Sequence, residues 1–213
     1  MKIKQFPFNH FQTNCYLIID EQSKECAIVD PCMEYPQEFL QVEQTILNGG
    51  LTPTLLLLTH AHTDHVCGVE RFAQQYHLPI TTHHESRTHL QTAPNLGRMI
   101  GFDVNRLDTL PQRHILDGDV LTLGKGTIKC LYVPGHCPGS IAYYLEEEGV
   151  VVTGDALFRM SIGRTDLPGG DYDVLLNSIK TRLFTLPPDT MVLPGHGECS
   201  SIREEQLGNP FIV

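Results

Sequence analysis

Apolar and polar positions follow one another in short blocks that predict strands interspersed with helices. Residues 14–20 and 26–30 are apolar stretches separated by the turn-like segment EQSKE, which predicts a hairpin. Residues 54–58, TLLLL, form an apolar run too short for a stable helix, so we predict a strand buried on both faces. Further strands are predicted at 78–82, 120–124, 127–136, 141–146, 150–155 and 190–196.

Helical spacing of apolar residues predicts three longer helices. One covers residues 35–50, with Gly49 placed to end it, and another covers residues 172–186. The segment 63–78 repeats apolar residues at the same spacing, and Thr63 is expected to cap its N-terminus. Together with the strands, these helices predict an α/β fold.

Two other segments have weaker patterns. Ser201 and Glu204 have the spacing of a capping box, which predicts a short helix ended by Gly208 and Pro210. Residues 83–113 lack clear periodicity, and we expect a helix and a long irregular loop there.

Four of the predicted strands end in residues that commonly bind metals. The sequence THAHTDH follows the 54–58 strand, and later strands end in PGH, TGD and PGH. Side chains at strand ends of a layered fold converge on one rim, and Gly135, Gly154 and Gly195 permit a sharp turn before the ligand. His60 and His62, two residues apart in an extended segment, project to one side. Asp64 and His65 follow a bend in the chain and can serve a second metal centre. The predicted ligands are His60, His62, Asp64, His65, His136, Asp155 and His196.

The ligand types restrict the kind of metal site. Imidazole and carboxylate without thiolate favour Zn, Fe, Mn or Co over a closed structural zinc site, which would favour cysteines. Cys67 and Cys137 lie near the ligands in sequence but are not expected to bind metal. His83, His84 and His89 have no strand-end glycine to aim them and are also excluded from the ligand set.

Composition limits the remaining possibilities. The chain has 213 residues, 41% of them hydrophobic, and we predict a single domain over residues 1–213. A formal net charge of -10 without a basic patch disfavours nucleic-acid partners. No secretory signal or membrane-spanning run is visible, so we expect a cytoplasmic protein without a membrane partner. Seven cysteines without a CxxC pair are expected to be reduced.

Several segments together give the sequence a family resemblance. They are NCYLI, VDP, THAHTDHVCG, VPGHCPGS, TGDALF, SIGRTDLPGGD and LPGHG, in this order. With these motifs the chain resembles the metallo-β-lactamase superfamily and, within it, the glyoxalase II-like (hydroxyacylglutathione hydrolase) group, in the short form without a C-terminal helical domain. The resemblance implies an αββα sandwich, two mixed sheets between helix layers, with the site at one edge.

The resemblance also implies an arrangement of two divalent metal ions, expected to be zinc, with iron or manganese as alternatives. His60, His62 and His136 would hold one ion, and Asp64, His65 and His196 the other, with Asp155 bridging. A hydroxide between the ions would attack the carbonyl of a small acyl thioester, such as S-lactoylglutathione or a related hydroxyacyl thioester. Asp64 is expected to take part in proton transfer.

Substrate recognition depends on basic residues near these motifs. The family's basic residue in the loop after the bridging aspartate falls on Arg164, which could pair with a substrate carboxylate. The alternative is an ion pair with Asp166 inside the loop. Arg98 and Arg159 are further candidates, each also explained as a solvated surface charge.

Other functions of the superfamily are weighed against the hydrolase. The main alternative is a persulfide dioxygenase, in which His60, His136 and Asp155 would form a facial triad around one Fe(II). A β-lactamase is disfavoured because the zinc class most associated with that activity has a cysteine at the position of Asp155. A nuclease is disfavoured by the acidic composition, and a non-catalytic module by the intact ligand set. The oligomeric state is left open.

Overall fold

A computed structural model describes residues 1–212 as two six-stranded sheets packed face to face. Val213, the last residue of the predicted domain, lies outside the described residues. The first sheet contains, in order, β1 (Lys2–Phe8), β2 (Thr13–Ile19), β3 (Glu25–Val29), β4 (Thr52–Leu57), β5 (Ile80–His83) and β6 (Gln112–Ile115).

The second sheet follows later in the chain. It is built from β7 (Val120–Leu123), β8 (Gly126–Tyr132), β9 (Ile141–Leu145), β10 (Val150–Gly154), β13 (Met191–Pro194) and β14 (Ser200–Ser201), in the spatial order β14-β13-β10-β9-β8-β7. Between β10 and β13, a small hairpin is formed by β11 (Leu157–Phe158) and β12 (Ser161–Ile162). Strands β3 to β6 run parallel to one another, as do β10 and β13, so their carboxyl ends share an edge.

Helices cover the outer faces of both sheets. They are α1 (Pro36–Gly49), α2 (Thr63–Val66), α3 (Val69–Tyr76), α4 (Arg87–Ile100), α5 (Tyr172–Ser178) and α6 (Ile202–Gly208), with a 3₁₀ turn at His84–Ser86 and a π turn at Ile179–Leu183. No helix among residues 1–212 has both the length and the apolar character needed to cross a membrane.

Three separate apolar layers explain this arrangement. The middle layer joins the facing sheets through side chains such as Ile18 and Val152. A second layer packs helices α1, α3 and α4 on the first sheet, where Phe72 is fully buried. The third packs α5 and α6 on the second sheet around Leu175 and Ile202. A sheet buried on both faces requires near-continuous apolar strands, and β2 and β9 are buried along their whole length. The predicted αββα sandwich is confirmed.

The edge strands of the first sheet were not predicted from the sequence. Strand β1 carries Lys2 and Lys4 and contains Pro7, a composition tolerated at a sheet edge. Strand β6 has three polar residues among its four and begins at the end of the region 83–113, where no strand was expected. The predicted helix of that region is α4, and residues 101–111 form the predicted irregular loop. The interior Pro94 and Gly97 of α4 disguise its helical pattern.

The helix predicted over 63–78 is interrupted. Gly68 donates its N–H to the carbonyl of Pro31 at 2.7 Å, and this long-range bond separates α2 from α3. Thr63 is the first helical residue and not the cap, since the capping position is His62 and the Thr63 hydroxyl bonds the carbonyl of Ala93. Of the predicted capping box, the Ser201 cap is confirmed, since its hydroxyl oxygen accepts the N–H of Glu204 at 3.2 Å. The Glu204 carboxylate accepts from the Ser201 hydroxyl, so the reciprocal bond to the backbone of Ser201 is not formed.

Candidate metal centre

Strand ends of both sheets meet at one edge of the molecule and bring all seven predicted ligands together. His60 and His62 follow β4, and α2 carries the next pair of ligands. The second sheet contributes the strand-end residues after β8, β10 and β13. Thr13 of the first sheet forms a backbone bridge to His196, and the N–H of Asn14 donates to the carbonyl of Gly195 at 2.7 Å. The site therefore spans the seam between the sheets.

Three imidazoles form the first group of donors. The ring of His60 lies 4.8 Å from that of His62 and 5.0 Å from that of His136, measured between centroids. His136 Nε2 faces His62 Nδ1 at 2.8 Å. With the sulfur of Cys137, one donor atom from each of these residues lies within 4.8 Å of the others. This spacing is compatible with a single metal ion.

The second group contains a carboxylate and two imidazoles. Asp64 Oδ2 lies 3.5 Å from His65 Nε2 and 3.2 Å from His196 Nε2. Asp155 approaches both groups, because its Oδ1 is 3.2 Å from His65 Nε2 and its Oδ2 is 3.6 Å from the Nε2 atoms of His196 and His136. Asp155 therefore occupies the position that a bridging ligand would require.

Unpartnered buried atoms test whether this donor set fits a metal. Among the described residues, the buried atoms His60 Nε2, His65 Nε2 and Asp155 Oδ1 make no well-aligned hydrogen bond, although the last two lie 3.2 Å apart. An unsatisfied buried polar atom costs roughly 1–3 kcal/mol, so several together are unusual in a folded protein. Nitrogen and oxygen donors of this kind suit divalent transition metals. The residues fit such ions.

The electrostatics of the two groups differ. Burial lowers the pKa of His60 and, together with His136, lowers the pKa of His62 to about 3. These rings are therefore neutral at pH 7 and offer lone pairs. Burial also opposes a charge on His65, but the carboxylates of Asp155 and Asp64 outweigh it and raise the pKa of that ring. The second group thus attracts positive charge.

Neighbouring acceptors fix which ring nitrogen faces the centre. The buried carboxylate of Asp30 accepts from His65 Nδ1 at 2.9 Å and from the Thr59 hydroxyl at 2.6 Å. His136 Nδ1 donates to the carbonyl of Arg164 at 2.7 Å. Such partners orient metal-binding histidines. Asp30 was missed as a site residue, although its position directly after an apolar strand is the same signal that identified the ligands.

The strand-end glycines act in two different ways. Gly135 and Gly154 have positive φ angles of 123° and 53°, as expected for sharp turns before a ligand. Gly195 has no such requirement, but a Cβ atom there would lie 2.1 Å from Asp155 Oδ1. A side chain at this position would displace the Asp155 carboxylate.

Two cysteines and a histidine lie close to the donors. Cys137 is fully buried, and burial raises the pKa of its thiol to about 12, which disfavours the thiolate that metals bind. The sulfur of Cys67 contacts the carbonyls of Cys32 and Asp64 and joins none of the metal-type groups among the described residues. His89 places its ring 5.1 Å from that of His62 and lines the cavity described next.

A cavity of about 1250 Å³ opens onto the donors. Arg164 lines it, and its guanidinium makes two 2.8 Å bonds to the carboxylate of Asp166, which is the predicted alternative to a substrate clamp. Arg159 pairs with Glu198, Arg98 bonds Asn95, and neither arginine lines the cavity. These two candidates are not placed to contact a substrate in it.

Comparison with known proteins gives full-length matches. The family model for the metallo-beta-lactamase superfamily matches residues 9–196. The probable metallo-hydrolase YqgX of Bacillus subtilis is 37% identical over 215 residues, covering 100% of this chain and 98% of the relative. The hydroxyacylglutathione hydrolase GloC of Haemophilus influenzae has the same identity and coverage.

Solved structures agree with the sequence comparisons. BLEG-1 B3 metallo-beta-lactamase superimposes with a TM-score of 0.88 at 36% identity over 100% of both chains. TTHA1623 in a di-iron-bound form gives 0.86 at 36% identity over 98% of this chain and 99% of its own. ETHE1 from Myxococcus xanthus gives 0.81 at 28% identity, covering 100% of this chain and 84% of its own. With this fold, this donor set and these matches, the chain belongs to the metallo-beta-lactamase superfamily, whose fold binds divalent metals.

Proposed function

We propose that this protein is a binuclear metal hydrolase of small acyl thioesters, of the glyoxalase II-like group. The observation that carries the proposal is the position of Asp155, whose two carboxylate oxygens approach donors of both groups. The similarity to a relative named hydroxyacylglutathione hydrolase supports this choice of substrate class. S-lactoylglutathione or a related hydroxyacyl thioester is the first substrate to test.

The chain's own residues have separate roles in this proposal. His60, His62 and His136 would hold one ion, and Asp64, His65 and His196 the other, with Asp155 shared. Divalent ions bound there would polarise the thioester carbonyl and activate water for attack at neutral pH. Zinc is the expected metal, while the di-iron-bound form of TTHA1623 supports iron as the alternative.

Asp64 is proposed as the residue that accepts a proton during hydrolysis. It lines the cavity, and the Thr13 hydroxyl donates to its Oδ2 at 3.1 Å. Burial raises the pKa of Asp64, but the adjacent His65 and His196 outweigh this and lower it. The carboxylate is therefore ionised at pH 7 and able to accept a proton.

Arg164 is proposed to bind a carboxylate of the substrate. Both partners of its bond to Asp166 are exposed, so this ion pair contributes little stability and can open. A substrate carboxylate could then replace Asp166 on the guanidinium.

Metal content and thioester cleavage together test the function. Protein purified without added metal is assayed by elemental analysis and by hydrolysis of S-lactoylglutathione. We expect nearly two ions per chain and cleavage, and Asp155→Ala should lose both. Full hydrolysis by that variant would exclude the bridging role. A chromogenic cephalosporin belongs in the same assay because BLEG-1 is described as a B3 metallo-beta-lactamase.

A persulfide dioxygenase with one iron is the second candidate. The similarity to ETHE1 from Myxococcus xanthus, at 28% identity, favours including it. One iron per chain, no thioester cleavage and O₂ consumption with a persulfide would select this function. His60, His136 and Asp155 would then hold the iron, and the remaining donors would support them.

A further inference from the structure

Helix α4 presents apolar side chains on both of its faces. Leu90, Ala93 and Gly97 are buried against the core, as expected for an amphipathic surface helix. The side of α4 that lines the cavity carries Thr88, His89 and Thr92 in its first half. In its second half it carries Leu96, Met99 and Ile100, whose exposed fractions are 45%, 80% and 44%. The outward face of such a helix is ordinarily polar, so these three side chains require another explanation.

The apolar character continues around the cavity next to the donors. Phe11, which is 45% exposed, lies on the cavity wall with α4, and further apolar wall residues come from the second half of the chain. These are Phe158, Ile162 and Leu167. The volume of about 1250 Å³ exceeds the roughly 300–1,000 Å³ usual for a small-ligand pocket. The cavity therefore accommodates more than a lactoyl group beside the metal centre.

The charged residues of the cavity wall can pair with at most one carboxylate of a substrate. Among the wall residues that the structure describes, Arg164 is the only Lys or Arg, and it is paired with Asp166. Glu85 lies on the same wall and adds negative charge outside the donor set. Glutathione has two carboxylates, and this wall offers a cation to one of them at most.

We infer that the substrate is a thioester with an apolar acyl chain longer than lactoyl, and that the Leu96, Met99 and Ile100 face of α4 binds this chain. Biological thiols carry amide, carboxylate or phosphate groups, so the apolar part of a thioester is its acyl group. The inference rests on the proposed thioester hydrolysis and narrows its acyl group. Burial of each added methylene would raise kcat/KM by up to about fourfold.

A series of acyl chains on one neutral thiol tests the inference. Acetyl, butyryl, hexanoyl and octanoyl thioesters of N-acetylcysteamine are compared with S-lactoylglutathione. We expect kcat/KM to rise along the series and the octanoyl thioester to exceed S-lactoylglutathione. A flat series, or a clear preference for the glutathione thioester, would overturn the inference.

Variants of α4 test whether its exposed apolar side chains cause the expected preference for long acyl chains. The double variant Leu96→Ser/Met99→Ser should reduce the increase in kcat/KM per methylene, because it removes two apolar contacts. Leu207→Ser is the matched control, since Leu207 is 76% exposed near the end of helix α6 and does not line the cavity. An equal effect of the double variant on every chain length would contradict binding of the acyl chain by α4.

A binding measurement separates this inference from the proposed function. The octyl thioether of N-acetylcysteamine cannot be hydrolysed, and its affinity is measured by calorimetry for the wild type and the double variant. Weaker binding to the variant would show that this face of α4 binds the alkyl chain. If no thioester is cleaved in that case, the proposed function fails and the assignment of the apolar binding face stands. Equal binding would refute the inference. A wild type that sediments as a dimer, with a double variant that sediments as a monomer, would also refute it and would assign the face to a subunit contact.

Discussion

Asp30 illustrates how a residue outside the proposed ligand set can determine the chemistry of the site. Its carboxylate accepts bonds from the backbone N–H and hydroxyl of Thr59 and from His65 Nδ1. Because the proton of His65 is held on Nδ1 by this bond, Nε2 can direct a lone pair at the centre. The orientation of one ring thus depends on a carboxylate that comes from the preceding strand.

We predict that Asp30→Asn weakens metal binding by about 10-fold to 100-fold, the usual effect of losing such an orienting partner. A competition titration with a chromophoric chelator measures the affinity. Asp20→Asn is the control, because Asp20 is also buried but bonds turn residues away from the donors. Unchanged affinity in Asp30→Asn would show that packing alone orients His65.

The convergence of the seven predicted ligands could be anticipated at this scale, because each lies within a few residues after the end of an apolar strand, or on the short helix α2 that follows β4. The roles of neighbouring residues were less accessible. The ion pair of Arg164 with Asp166 was one of two alternatives that the sequence left open, and the structure shows it formed. The approach of Cys137 to the histidines depends on the conformation of the loop after β8, which local sequence does not specify.

Among the secondary-structure elements, helix α6 and the β11–β12 hairpin are joined by a buried carboxylate. Glu205 is fully buried and accepts from the N–H of Met160 at 2.9 Å and from Asn209 Nδ2 at 2.7 Å. Asn209 in turn donates to the carbonyl of Ser161 at 3.0 Å. Because the hairpin includes Phe158 and Ile162 of the cavity wall, this helix holds part of that wall in place.

We predict that Glu205→Ala lowers the free energy of unfolding by about 1–3 kcal/mol, since the Met160 N–H loses its acceptor. Urea denaturation measures this loss. KM for the thioester should rise as the cavity wall loosens, with metal content unchanged. Glu147→Ala, at an exposed turn, should change neither quantity. A loss of bound metal in Glu205→Ala would mean that the effect extends beyond the wall.

Elements with strong apolar patterns were predicted, and those defined by partners were not. Strand β6 forms by pairing with β5, and its four residues have little apolar character of their own. The break between α2 and α3 depends on the carbonyl of Pro31, which is distant in sequence from Gly68. Long-range contacts of this kind leave no periodic pattern.

In the whole molecule, the proposed ligands are divided between the two sheets. Those after β4 belong to the first sheet, and those after β8, β10 and β13 belong to the second. Bound metal would therefore link the two sheets and stabilise the folded protein relative to the unfolded chain. The αββα sandwich is confirmed, while the cytoplasmic location and the absence of nucleic-acid and membrane partners stay predictions.

We predict that zinc raises the thermal midpoint of unfolding of metal-depleted protein. At a free concentration 100 times the dissociation constant, each site would add about 2.7 kcal/mol to the free energy of unfolding. Scanning calorimetry with increasing zinc measures this change, and Asp155→Ala should respond much less. No shift in the wild type would mean that zinc does not bind the folded chain more tightly than the unfolded chain.

The division of the donors between two sheets also has a consequence for folding kinetics. Each proposed site takes ligands from both sheets. The complete visible spectrum of bound Co²⁺ should therefore develop only after the two sheets have docked. Stopped-flow absorbance during refolding would then time this docking separately from the formation of secondary structure, which circular dichroism records. The absorbance of bound Co²⁺ would therefore report the rate at which the two sheets dock.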